Sequence, residues 1–231
     1  MAGPGHRAGP PLIVTGILGG SFNPAHGGHR RISLFVREAL GLDEVWWLVS
    51  PGNPLKPVPG MAALPARYAS ALAQARRAPI RVTTIERDLG TRFTVDTVAK
   101  IVRRWPKRRF IWVMGADNLV QFHRWRQWRK LARYVPIAVI ARPGYDSAAL
   151  ASPAMAWLTR YRRSAASLKS PVRWSAPALV ILRFDPDSRS ATAIRRADPS
   201  WASRLSVRSL RDDITHQPIS QSRPKEPISP Q

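Results

Sequence analysis

The 231-residue chain contains no cysteine, so neither a disulfide framework nor a thiolate metal site can contribute to it, and nothing argues for export. No apolar run approaches the ~20 residues that a membrane span needs. The opening MAGPGHRAGPP is Gly/Pro-rich and lacks the apolar centre of a signal peptide. A cytoplasmic protein without membrane contact is therefore expected. Acid is scarce: 14 Asp and Glu stand against 37 Lys and Arg, a formal charge of +23. That field attracts anions, whether nucleotides, nucleic acid or a membrane surface. A solvated arginine-rich surface explains it equally well, and nucleic acid is not the expected partner. Missing too are a GxGxxG fingerprint, a Gly-Lys-Ser/Thr phosphate loop and any internal repeat.

What is present is globular in balance, 44% hydrophobic and 22% charged, and long enough for one α/β domain. Short apolar runs with the look of buried strands lie at Leu12–Leu18, Val45–Val49, Ile80–Ile85, Phe110–Met114, Pro136–Ala141 and Leu179–Phe184. Between them, helical periodicity covers Ala25–Leu40, which Gly41 stops, then Leu64–Ala78 and Thr94–Trp105, and a helix begins at Ala191–Arg196. Alternation of this kind predicts a single Rossmann-like α/β domain with a doubly wound, mostly parallel sheet over residues 11–212, its ligand at the carboxyl ends of the strands. Residues 1–10 read as a flexible lead and residues 213–231 as a disordered tail. Ala148–Ser175, rich in Ala, Ser and Arg, reads as a helix plus loop.

The most informative segment follows the first strand: Gly19-Gly20-Ser21-Phe22-Asn23-Pro24-Ala25-His26-Gly27-Gly28-His29. Small residues allow the backbone close to a ligand, and a helix start offers unpaired N–H groups to an anion. His26 and His29 are three apart, on one face if both are helical, where two imidazoles suit a phosphate chain. They could also be a metal pair, but no third ligand lies nearby at a suitable spacing.

This segment resembles the G-G-[ST]-F-[DN]-P-x-H-x-G-H signature of the nucleotidyltransferases. The resemblance implies that His26 and His29 bind ATP phosphates, with Gly19, Gly20, Ser21 and Phe22 around them, and that catalysis is positioning and electrostatics without a covalent intermediate. Later segments are similar, in order, to the nicotinate-nucleotide branch. Asn53-Pro54-Leu55-Lys56 looks like its N-P-x-K element, with Lys56 reaching substrate or ATP phosphates. Arg67 matches an arginine with a structural part. Glu86 to Thr97 resembles the turn that holds the pyridine ring, which assigns Phe93 and Thr94 to it, although Thr94 also suits a helix N-cap. Gly115-Ala116-Asp117 with Phe122, Trp125 and Trp128 matches G-A-D-x-x-x-x-F-x-x-W-x-x-W. By resemblance Asp117 contacts the ribose or adenosine part and Trp125 stacks on the pyridine, while Phe122 and Trp128 belong to the core. Arg142-Pro143-Gly144 closes the fifth strand as R-P-G does in relatives, and Arg142 is placed with the pyridine nucleotide. Ser190, Thr192 and Arg195 lie in a segment similar to I-S-S-T-x-I-R, a second anion cradle for the ATP β- and γ-phosphates.

The implied reaction moves AMP from ATP to nicotinate mononucleotide, with Mg²⁺ carried on the substrate phosphates and no metal site on the protein. Lys56 joins the two histidines as the catalytic set, and homo-oligomer formation is left open. Arg92-Phe93 replaces the family's Ser-Tyr, so Phe93 keeps aromatic contact without a hydroxyl and Arg92 adds charge. Other readings are a different acceptor within the same superfamily, such as nicotinamide mononucleotide or phosphopantetheine, and a basic, non-catalytic RNA-binding protein.

Overall fold

Six apolar runs become six strands, and the charged or Gly/Pro-marked stretches between them become helices and turns. The computed structural model describes residues 12–52, 60–141, 149–169, 175–184, 190–205 and 209–219. The strands are β1 (Ile13–Gly20), β2 (Glu44–Val49), β3 (Ile80–Thr83), β4 (Arg108–Gly115), β5 (Ile137–Ala141) and β6 (Leu179–Arg183). They form one sheet in the order β3-β2-β1-β4-β5-β6, every neighbouring pair parallel. This is the doubly wound α/β arrangement expected. The order reverses between β1 and β4, and in open sheets of this type ligands bind in the crevice at the carboxyl ends of those strands.

The helices are α1 (Gly27–Leu40), α2 (Leu64–Ala75), the single turn α3 (Ile85–Asp88), α4 (Thr94–Arg104), α5 (Ala116–Gln121), α6 (Trp128–Tyr134), α7 (Pro153–Leu158), α8 (Ala165–Leu168) and α9 (Ala191–Ala197). Gly41 ends α1 in the left-handed conformation (φ 65°), with its N–H on the carbonyls of Arg37 and Glu38. Central strands are apolar on both faces because each face meets its own helices. One core layer gathers Ile17, Trp46, Ile101, Trp112 and Phe122; the other gathers Val36, Leu40, Trp47, Tyr68 and Val113.

Three expectations need correction. The run Ile80–Ile85 is not one strand: β3 ends at Thr83, and Ile85 begins α3, its N–H held by Thr83 Oγ1. Ala148–Ser175 is not a helix with a loose loop. Its described part carries α7, capped by Ser152, then a 3₁₀ turn (Thr159–Tyr161) and α8, with Met155 and Leu158 in the core. The tail expected from Asp213 is also wrong over 213–219. Asp213 accepts the Val82 N–H (2.9 Å) and gives its own N–H to Val82 O (3.2 Å), which covers the outer edge of β3. Asp212 is fully buried. One of its oxygens accepts from the Thr84 N–H and the Thr83 and Thr84 hydroxyls, the other from the N–H groups of Ile214 and Thr215. A carboxylate so completely satisfied anchors the segment despite its polar composition.

Candidate active site at the carboxyl edge of the sheet

The first turn is built from the backbone outward. β1 runs to Gly20, and the chain then turns through Phe22, whose φ is 47°. The α1 helix starts at Gly27, one residue after His26, so His26 is the N-cap and does not share a helical face with His29 as the spacing suggested. The pair meets in a different way. The Gly28 N–H donates to His26 Nδ1 (3.1 Å), and the His26 N–H donates to His29 Nδ1 (3.2 Å). This is a capping box made from two imidazoles, with ring centroids 4.0 Å apart. The chemical consequence is specific. A ring nitrogen that accepts a backbone N–H carries no proton, so in the neutral rings the proton sits on Nε2. Capping the helix therefore sets both histidines as Nε2–H donors at its positive end.

The ring of His29 rests against Phe22 (4.9 Å) and Trp47 (6.0 Å). Trp47 donates to Ser33 Oγ, and that hydroxyl donates to His29 O, so the histidine's backbone and ring share one support. Phe22 is fully buried beneath it, so its backbone and not its ring is what can face a ligand. A Cβ on Gly19 would come within 2.7 Å of the Trp112 indole, and one on Gly20 within 3.3 Å of the Phe22 ring. Their smallness admits aromatic rings on both sides of β1, and only their backbone remains for a phosphate.

Arg67 holds this turn to its neighbour. Fully buried, its guanidinium donates to Ser21 O (2.8 Å), Ser50 O (2.7 Å) and Ala62 O (2.9 Å), the structural part expected of it. Burial lowers its pKa to about 10, still charged at neutral pH. Asn23 is a residue the sequence reading passed over. Buried, it donates to Gly60 O and accepts from the Ala62 N–H, while its carbonyl accepts from Arg195. Its place in the motif was the available signal. Arg195, on α9, also donates to Thr192 Oγ1, and Ser190 caps that helix by accepting from the Ala193 N–H. The start of α9 thus lies directly against the turn after β1.

On the other side of the crevice, Asp117 stands exposed in the first turn of α5, just beyond β4. Trp125 is half-buried, edge-on to Trp112 (6.1 Å) and Phe122 (5.3 Å). Phe122 and Trp128 are in the core as expected. Thr94 is not an N-cap. Phe93 occupies that position in extended conformation, and its carbonyl accepts from the N–H groups of Asp96 and Thr97. The Phe93 ring carries Arg126 at 4.7 Å and Arg92 at 6.0 Å. Under this turn lies Glu86, beside the Ser50 and Thr97 side chains; burial pushes its pKa up to about 7. Asn53, Lys56 and Arg142 lie outside the described residues. Among the described residues no group of three His, Asp or Glu side chains could hold a metal ion.

Imidazole donors at a strand–turn–helix, at the switch point of a parallel sheet, with an aromatic wall opposite, give the architecture of a nucleotidyltransferase. A model of the cytidylyltransferase-like family matches residues 17–197. A protein named probable nicotinate-nucleotide adenylyltransferase from Erythrobacter litoralis is 69% identical over 90% of this chain and 94% of its own. One of the same name from Bradyrhizobium sp. (strain ORS 278) is 48% identical over 81% and 98%. The nicotinic acid mononucleotide adenylyltransferase of Plasmodium falciparum, complexed with NaAD, shares the fold at a TM-score of 0.56 and 15% identity, over 80% of this chain and 83% of that one. The chain belongs to the nicotinate-nucleotide adenylyltransferase family.

Proposed function

We propose that the chain transfers AMP from ATP to nicotinate mononucleotide, giving the deamido dinucleotide and pyrophosphate. The observation that carries the chemistry is the imidazole capping box: two Nε2–H donors fixed at a helix N-terminus beside the crevice. The close relatives' name supplies the acceptor.

In this reading an oxygen of the mononucleotide's 5′-phosphate attacks the α-phosphorus of ATP, and the bond from that phosphorus to the oxygen bridging to the β-phosphate breaks. No group on the protein needs to form a covalent bond. The barrier falls because two anions are held in line and charge developing toward pyrophosphate meets fixed donors. His26 and His29 supply donors from one side, Arg195 and the start of α9 from the other. Lys56 adds a cation to the transferring phosphates. Trp125 stacks on the pyridine, Phe93 and Thr94 bound its pocket with Asn53 and Arg142, and Asp117 takes the ribose or adenosine hydroxyls. Mg²⁺ would come with the ATP phosphates and supply charge neutralisation. The described donors on the phosphate side, imidazoles and a guanidinium, fit a phosphate-bound ion and not a protein cage.

The test is pyrophosphate release with ATP and Mg²⁺, comparing the nicotinate and nicotinamide mononucleotides at matched concentrations. Preference for the acid is expected. Equal rates would keep the reaction and remove the specificity. No release with either, in a protein that still binds ATP, would overturn the choice of acceptor.

A further inference from the structure

Beside the pyridine turn, a groove of about 490 Å³ opens between α4 and α6. Five of its lining residues are cations, Arg92, Lys100, Arg103, Arg126 and Lys130, and Asp96 is its one carboxylate. Two faces make it: Asp96, Lys100 and Arg103 follow one side of α4 at helical spacing, and Lys130 projects from α6. Phe93 and Tyr134 add aromatic surface.

The charges are unevenly engaged. Lys100 donates to Leu89 O (2.7 Å), and Arg126 stays 3.5 Å from Asp96 while stacking on Phe93. Arg103 and Lys130 are exposed and have no carboxylate partner among the described residues. Like charges gathered in one concavity repel one another, and a bound anion relieves that repulsion. The groove shares Phe93 with the proposed acceptor pocket.

We infer that this groove is a docking site for small anions bearing carboxylate or phosphate, and that it captures the acidic mononucleotide before it enters the pyridine pocket. The inference rests on the proposed acceptor. The groove acts on encounter and leaves the bond-making step alone, so its signature is kinetic. Cationic clefts raise association rates by about ten- to a thousandfold at low ionic strength, and salt removes the gain.

The experiment compares R103E/K130E with K107E/R109E, an equal charge change at the start of β4, outside the lining of the groove. In R103E/K130E, kcat/KM for nicotinate mononucleotide should fall about tenfold at low salt and converge on wild type at high salt, with kcat unchanged. K107E/R109E should change little. Equal falls in both variants would reduce the effect to net charge and overturn the proposal, as would no fall in either. Loss of single-stranded oligonucleotide binding in R103E/K130E with kcat/KM intact would overturn it in favour of nucleic acid. If wild type does not turn over this mononucleotide, the acceptor reading fails separately. The groove is then read by titrating inorganic pyrophosphate: weaker binding to R103E/K130E than to K107E/R109E supports it, and equal binding overturns it.

Discussion

The two walls of the crevice are made differently. On the phosphate side, around His26, His29 and Asn23, nearly every polar group is tied to backbone, and a buried arginine clamps the turn to the end of β2. On the pyridine side, Phe93, Arg92 and Arg126 meet through stacked side chains at a helix start that has no side-chain cap. The difference teaches where each property resides. In the proposed function, handling of a phosphate chain rests on main-chain geometry that tolerates little change. Choice of acceptor would rest on adaptable side chains, here Arg92 and Phe93.

The sharpest way to break this contrast is His29→Ala. Losing a fixed donor to developing charge should lower kcat by about 10²–10³-fold. The Michaelis constant for ATP should move far less, as steady-state kinetics will show. An intact kcat would remove His29 from the reaction. Next is Arg67→Met, which leaves the carbonyls of Ser21, Ser50 and Ala62 without their buried donor. A loss of about 3 kcal/mol in urea unfolding is expected; under 0.5 kcal/mol, the phosphate wall is not clamped as described.

Glu86→Gln probes the seam between the walls through pH. Burial raises the folded pKa to about 7, against a usual 4.5, so between those values the folded chain binds more protons than the unfolded one. Stability therefore falls as pH rises from about 4.5 to about 7 and is level above. Glutamine removes that slope, and relative to wild type the variant should be more stable at pH 8 than at pH 5, by at most about 3 kcal/mol. Parallel thermal-melt profiles for the two proteins would refute it. The smallest effect belongs to Arg92→Ala. An exposed charge contributes little, so KM for the acid should rise about two- to fivefold while KM for the amide stays put. Equal rises would deny Arg92 a part in specificity.

The fold was largely legible because each strand is a short apolar run and the first motif carries its own turn. What escaped was set by partners distant in sequence. No local pattern shows that Gly19 is small for the Trp112 indole, 93 residues on, or that Phe93 takes the cap position from Thr94 because its carbonyl receives the first helical bonds. At the site, the residue types were readable in His26, His29 and Arg195. Their geometry was not, since a histidine at an N-cap and one on a helix face have the same spelling. The segment 213–219 read as tail because its anchor, the buried Asp212, makes its bonds to Thr83 and Thr84.

That anchor bears on how the protein is made. The outer edge of β3 is an open row of backbone donors and acceptors until Asp213, 131 residues after Val82, arrives to pair with it. While a ribosome is still producing the second half of the chain, the first half already displays a strand edge that other nascent chains could join. Closure of this edge waits for Asp212 and Asp213, and a chain stopped short of them would carry an adhesive border.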